Sequence, residues 1–145
     1  MSKLYKFFAF TSFFWIMSPF VCQAQIEGKW KIDVEKSKAA FQASEAYTKL
    51  TEDAKATSDF VLESFKYIVM EYKQGGEYAE FQVSDITQST KTIKKGSWGI
   101  EDGGKKLVIK ANNGENQIIT IKSLSKEATI ISLEDGMVLV LYPTQ

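Results

Sequence analysis

The chain has 145 residues, with 18 basic side chains, 18 acidic side chains and no histidine. All 18 basic residues are lysines and the single cysteine is Cys22, so the usual ligands of zinc, copper and iron are missing and thiol chemistry has almost nothing to work with. This charge balance supplies no basic face for nucleic acid or for an anionic membrane surface.

Lys3 and Lys6 precede an apolar stretch from Phe7 to Val21, and Cys22-Gln23-Ala24 puts small residues where a signal peptidase reads. We read residues 1–24 as a secretory leader cleaved before Gln25, and residues 25–145 as one domain. The apolar run of about 15 residues is too short for a membrane span, and Ser18-Pro19 interrupts it. No stable span is therefore expected after cleavage. Lipidation of Cys22 is the alternative, but Pro19-Phe20-Val21 is a poor match to the Leu-Ala-Gly type of sequence that precedes a lipidated cysteine. The expected location is secreted or periplasmic. The 121 mature residues carry 16 lysines against 18 acids, a net charge of −2. A domain of that size buries about two-thirds of its unfolded surface and must hold together without disulfides.

Ile26 to Val34 reads as a first strand, with Trp30, Ile32 and Val34 alternating against Lys29, Lys31 and Asp33. After Ser37 the period lengthens. Ala43, Ala46, Tyr47, Leu50, Ala54, Val61, Phe65 and Ile68 fall near a 3.6-residue spacing, which predicts one long or slightly interrupted amphipathic helix. Thr57-Ser58-Asp59 offers a cap at which it would divide in two. From Tyr67 the period becomes two, punctuated by Gln74-Gly75-Gly76, Asp102-Gly103-Gly104, Asn112-Asn113-Gly114 and Glu134-Asp135-Gly136, with Leu124-Ser125-Lys126 as a weaker turn. The strands between them are Tyr67–Lys73, Glu77–Ser84, Thr90–Glu101, Lys105–Ala111, Asn116–Lys122, Glu127–Glu134 and Met137–Tyr142.

Short turns between successive strands predict an antiparallel up-and-down meander. The expected fold is mainly β: about eight strands closed into a barrel, with the amphipathic helix inserted between strands 1 and 2. A strongly curved open sheet wrapped around the helix is the alternative. Alternation gives an inward set of Trp30, Ile32, Met70, Tyr72, Phe81, Trp98, Leu107, Ile109, Ile119, Ile121, Ile131, Leu133, Met137, Leu139 and Leu141. Ile118–Ile121 and Val138–Leu141 are continuously apolar and fit either face.

Two motifs carry a family resemblance. Ile26-Glu27-Gly28-Lys29-Trp30-Lys31-Ile32 resembles the opening strand of the calycin superfamily, which holds the lipocalins and the intracellular fatty-acid-binding proteins. Gly96-Ser97-Trp98-Gly99-Ile100, turning through Asp102-Gly103-Gly104 into Lys105-Lys106-Leu107-Val108-Ile109, is similar to the mid-domain pattern of the secreted lipocalin-like domains common in Bacteroidetes. Ile121-x-x-Leu124-Ser125 before a short apolar strand fits the same pattern. The resemblance implies a barrel with an apolar interior. Placement of the helix after the first strand is closer to the fatty-acid-binding arrangement, in which helices lid the barrel. Those relatives commonly use an arginine against the first-strand Trp or a fatty-acid carboxylate. This chain has none, so only Lys110 or Lys122 would stand in, as a point charge.

These observations give a binding protein as the expected function. The ligand-binding candidates are Trp30, Ile32, Met70, Tyr72, Phe81, Trp98, Ile109, Ile119, Ile131 and Leu139, around a small apolar ligand in the barrel interior. Trp30 and Trp98 serve equally as core, positioned by Gly28 and Gly96. Tyr67, Tyr72, Tyr78 and Tyr142 offer hydroxyls for orientation. The alternative function is a binding or inhibitory module that engages an envelope protein through the outer barrel surface over a solid core. No cofactor, metal or nucleic-acid partner is expected, and the protein is expected to be a monomer. The acids at Asp102, Glu115, Glu134 and Asp135 sit in tight turns without the alternating spacing that wraps calcium. No Ser-x-x-Lys arrangement has supporting context, and no Gly-rich phosphate loop precedes a helix, so an enzyme is not expected.

Overall fold

The computed structural model describes residues 25–145; the expected leader lies outside the described residues. Eight antiparallel strands run in chain order: β1 (Gly28–Ile32), β2 (Ile68–Tyr72), β3 (Glu77–Val83), β4 (Thr90–Glu101), β5 (Lys106–Ala111), β6 (Asn116–Leu124), β7 (Thr129–Ser132) and β8 (Val138–Thr144). Each pairs with the next, and β1 pairs with β8, so the sheet closes into a barrel. The curved open sheet is thereby excluded. Asp33 ends β1 two residues earlier than the alternation predicts, because its carboxylate accepts from the Lys36 N–H at 3.0 Å and caps a helix.

The long link between β1 and β2 holds three helices, α1 (Val34–Gln42), α2 (Glu45–Thr48) and α3 (Glu52–Ser64), with a 3₁₀ turn at Phe65–Tyr67. The helical insertion falls where expected, between strands 1 and 2, and it is interrupted twice. The breaks fall at Ser44 and Thr51, whose hydroxyls accept from the N–H groups of Tyr47 and Ala54. Thr57-Ser58-Asp59 breaks nothing. Inside α3, Thr57 and Ser58 donate their hydroxyls back to the carbonyls of Asp53 and Lys55, an arrangement compatible with continued helix.

Together the helices form a lid over the barrel end at which β1 finishes and β2 begins. Phe41 and Leu62, both buried, add their side chains to the barrel core, each stabilising by roughly 1.5–3 kcal/mol. Lys38 of α1 pairs with Glu63 of α3, and the Phe41 and Tyr47 rings meet edge to face at 5.3 Å. The β7–β8 turn supports α2 closely. Gly136 has φ +86°, and a Cβ there would lie 2.7 Å from the Ala46 Cβ.

Two irregularities set which side chains enter the barrel. Between Glu80 and Phe81 the β3–β4 register slips, Lys94 facing Glu80 and Thr92 facing Phe81, so Ile93 is an extra residue. On β6 the register slips between Ile121 and Ser123, and Lys122 is the extra residue. At Gly96, β4 presses so closely on β5 that a Cβ would meet the Lys110 carbonyl oxygen at 2.1 Å.

The lid is also tied into the sheet. The Val140 N–H of β8 donates to the Ser37 hydroxyl at 2.8 Å, and Ser37 is fully buried. Ser37→Ala should leave that N–H without a partner and cost about 1–3 kcal/mol. Urea unfolding should show a lower midpoint at an unchanged slope.

Candidate functional site: the barrel lumen

The end opposite the lid is plugged by large side chains held by their own polar atoms. Trp30 donates its indole N–H to the Ile26 carbonyl at 2.7 Å, and Trp98 donates to the Lys73 carbonyl at 2.9 Å. Tyr72 packs between two partners, edge to face with Trp98 at a centroid distance of 5.5 Å and tilted against Tyr78 at 5.2 Å. Thr129, also fully buried, lies among the described residues with a hydroxyl that has no protein hydrogen-bond partner.

Toward the lid the packing loosens into a cavity of about 170 Å³. Its apolar wall is made by Ile32, Met70, Ile109, Ile119, Ile131 and Leu139 from the strands, with Phe65 and Ile68 at the base of the lid. Three polar side chains converge on it: Glu80 of β3, Lys94 of β4 and Gln117 of β6. Tyr78, also on the wall, donates its hydroxyl to the Glu80 carboxylate at 2.8 Å. Lys94, the cross-strand neighbour of Glu80, reaches Glu115 at 3.9 Å. Lys94, Ile109 and Gln117 also border a depression of about 300 Å³ beside the β5–β6 turn, with Ala111, Glu115 and Asn116.

Burial pushes the Tyr72 and Tyr78 phenols far above the ordinary value of 10.0, and the nearby Glu80 adds to the effect in both. Both hydroxyls therefore stay protonated at neutral pH and well above it.

The ten residues singled out from the sequence divide into three groups. Ile32, Met70, Ile109, Ile119, Ile131 and Leu139 border the cavity. Trp30, Tyr72 and Trp98 lie below it in the plugged end, within the buried core. The inward placement of Phe81 is corrected. It faces Val69 across the β2–β3 pair, on the outer surface, beside a groove with Lys29, Lys31, Val83 and Thr92. Lys110 and Lys122 are exposed. The lysine that reaches the interior is Lys94.

Sequence reasoning passed over Glu80, Lys94 and Gln117. Counting back by twos from Trp98 gives Gly96 and Lys94 on one face. The tight Gln74-Gly75-Gly76 turn pairs Tyr72 with Tyr78 and so brings Glu80 inward with it. Among the described residues no group of three or more metal-ligating side chains is gathered, and no helix is long and apolar enough to cross a membrane.

A closed eight-stranded meander with its first link lidding one end is a lipocalin-like barrel fold. Among solved structures, the chain is similar to the crystal structure of a lipocalin-like protein from Bacteroides uniformis ATCC 8492. The two align with a TM-score of 0.52 over 83% of this chain and 99% of that one, at 12% sequence identity. At that identity the likeness is one of fold. No protein-family model matches the chain, and no curated protein matches it.

The buried phenols give this interior a pH signature. With Tyr72 and Tyr78 raised in the folded state, the unfolded chain releases their protons first as pH climbs past about 10. Stability is thus fully present below that pH and falls above it, by roughly 1 kcal/mol per pH unit for each phenol. Urea midpoints measured from pH 9 to 11 should show the decline, and Tyr72→Phe with Tyr78→Phe should flatten it.

Proposed function

We propose that this protein binds a small, largely apolar molecule in the barrel lumen, with the three-helix lid as the wall of the site. The observation that carries the reading is the cavity itself: an apolar chamber with a few polar groups gathered at one side. That is the general make-up of small-molecule sites. Its volume is near that of an apolar cavity able to hold one benzene-sized guest, about 150 Å³. It is well below the 300 Å³ or so at which drug-sized pockets begin. The ligand is accordingly about a single ring or a short chain in size.

Toluene is the probe for this reading. Added to the purified protein, it should shift the methyl NMR signals of Met70, Ile109, Ile119 and Ile131 together. Ile131→Phe, which places a larger ring in the void, should abolish those shifts while keeping the protein folded. Native mass spectrometry of protein taken from its secreting host should then show a discrete bound mass that organic extraction removes. A lumen that admits no probe and carries no mass would favour the competing reading, a binding module for an envelope protein. That reading draws on the exposed apolar side chains Phe60 and Ile86, at 77% and 94% exposure, and on the outer groove around Phe81.

We also propose that the protein works outside the cytoplasm. The support is the sequence of residues 1–24, with its lysine start and apolar stretch. Sequencing the N-terminus of protein recovered from the envelope or medium should begin at Gln25. A lipid-modified Cys22 at the terminus would instead mark an anchored form.

A further inference from the structure

The polar groups of the lumen restrict the chemistry of the ligand beyond its size. We infer that the site selects a small organic ammonium: an apolar body of about one ring or six carbons whose protonated amine is received by Glu80. The inference rests on the proposal that the lumen binds a ligand at all.

Glu80 projects inward opposite Met70, and one carboxylate oxygen accepts the Tyr78 hydroxyl at 2.8 Å. That bond fixes the carboxylate against the cavity wall and adds no positive charge to it. Among the described residues no lysine lies within ion-pair distance of Glu80. A half-buried carboxylate without a cationic partner favours a guest that brings the cation. The Tyr78 ring, on the same wall, offers an aromatic surface that also favours a cation.

The opposite choice, a ligand carboxylate, is poorly served. The chain has no arginine, and Lys94 is the one basic side chain on the cavity wall. Its ammonium already leans toward Glu115 at the β5–β6 turn. An anion placed beside Lys94 would sit between Glu80 on the facing strand and Glu115 at the mouth. Glu80, Glu115 and Lys94 together leave one excess negative charge at this side of the cavity, which discriminates against acids as well as attracting amines.

The test is a matched series of hexylamine, hexanol and hexanoate at pH 7, followed by calorimetry and by methyl NMR on the full-length mature protein, with toluene as the headless control. Hexylamine should bind at least about tenfold more tightly than hexanol, and hexanoate more weakly than hexanol. Glu80→Gln keeps an acceptor for Tyr78, and should remove the preference for hexylamine over hexanol. Lys94→Met should strengthen hexylamine. Equal binding of amine and alcohol would overturn the inference, as would a preference for hexanoate that disappears in Lys94→Met. If toluene enters but hexylamine does not, the headgroup assignment fails and the lumen reading stands. If toluene is excluded as well, both fail.

Discussion

The architecture depends on β1, a strand of five residues that has to satisfy two neighbours at once. It pairs with β2 along one edge and with β8 along the other, and without it the sheet would have two open edges. Yet β1 stops at Ile32, opposite Leu141, while β8 begins three residues earlier at Val138. The backbone groups of β8 beyond that point still need partners. Helix α1 supplies them: the Asp33 N–H donates to the Val140 carbonyl at 2.8 Å, and the Ser37 hydroxyl accepts from the Val140 N–H. The lid is therefore an extension of barrel closure. Its position over the open end follows from where the sheet runs out of hydrogen-bond partners.

Once the lid is fixed there, the two ends of the barrel differ in kind. At the far end, indole and phenol rings fill the space and their N–H groups bond to strand-end carbonyls, so the interior is solid. Under the lid, the side chains reaching inward are mostly aliphatic and smaller, with Tyr78, Glu80, Lys94 and Gln117 on one side, and Phe65 rather than another tryptophan closes the top. The void is thus a consequence of shape. Rings of this size fill the centre of an eight-stranded barrel, whereas isoleucine, leucine and methionine leave room for one small guest.

Most of the barrel was legible because its turns are chemically explicit. Each Gly-containing turn named above sits between strands whose boundaries agree with expectation to within a residue or two, and the meander order follows from the shortness of those links. Two features resisted. The lid reads as continuous because its apolar stripe keeps phase across both breaks, and a serine or threonine cap is a local hydrogen bond that periodicity does not register. The cavity's polar groups were missed for a different reason. Glu80 and Lys94 have charges that argue for water, and Phe81 has a ring that argues for the core, so composition pointed the wrong way at adjacent positions. Only the strand pairing, fixed by Tyr72 opposite Tyr78, decides between them.

The bulge at Ile93 bears on how such a lumen changes over evolutionary time. Because side chains alternate with a period of two, the extra residue divides β4 into two halves of opposite phase. Above it Thr90 and Thr92 turn outward beside Phe81, and Lys91 shares a depression with Tyr67 and Gln82. Below it Lys94 points in. Loss of that single residue would make Thr92 the direct neighbour of Lys94 and leave every other side chain on its present face, because Glu80 and Phe81 already pair with Lys94 and Thr92. Sliding the bulge two positions toward Thr90 is what would rewrite the chemistry at the mouth of the barrel: Thr92 would then turn inward in place of Lys91, with no side chain replaced and the fold's connectivity intact.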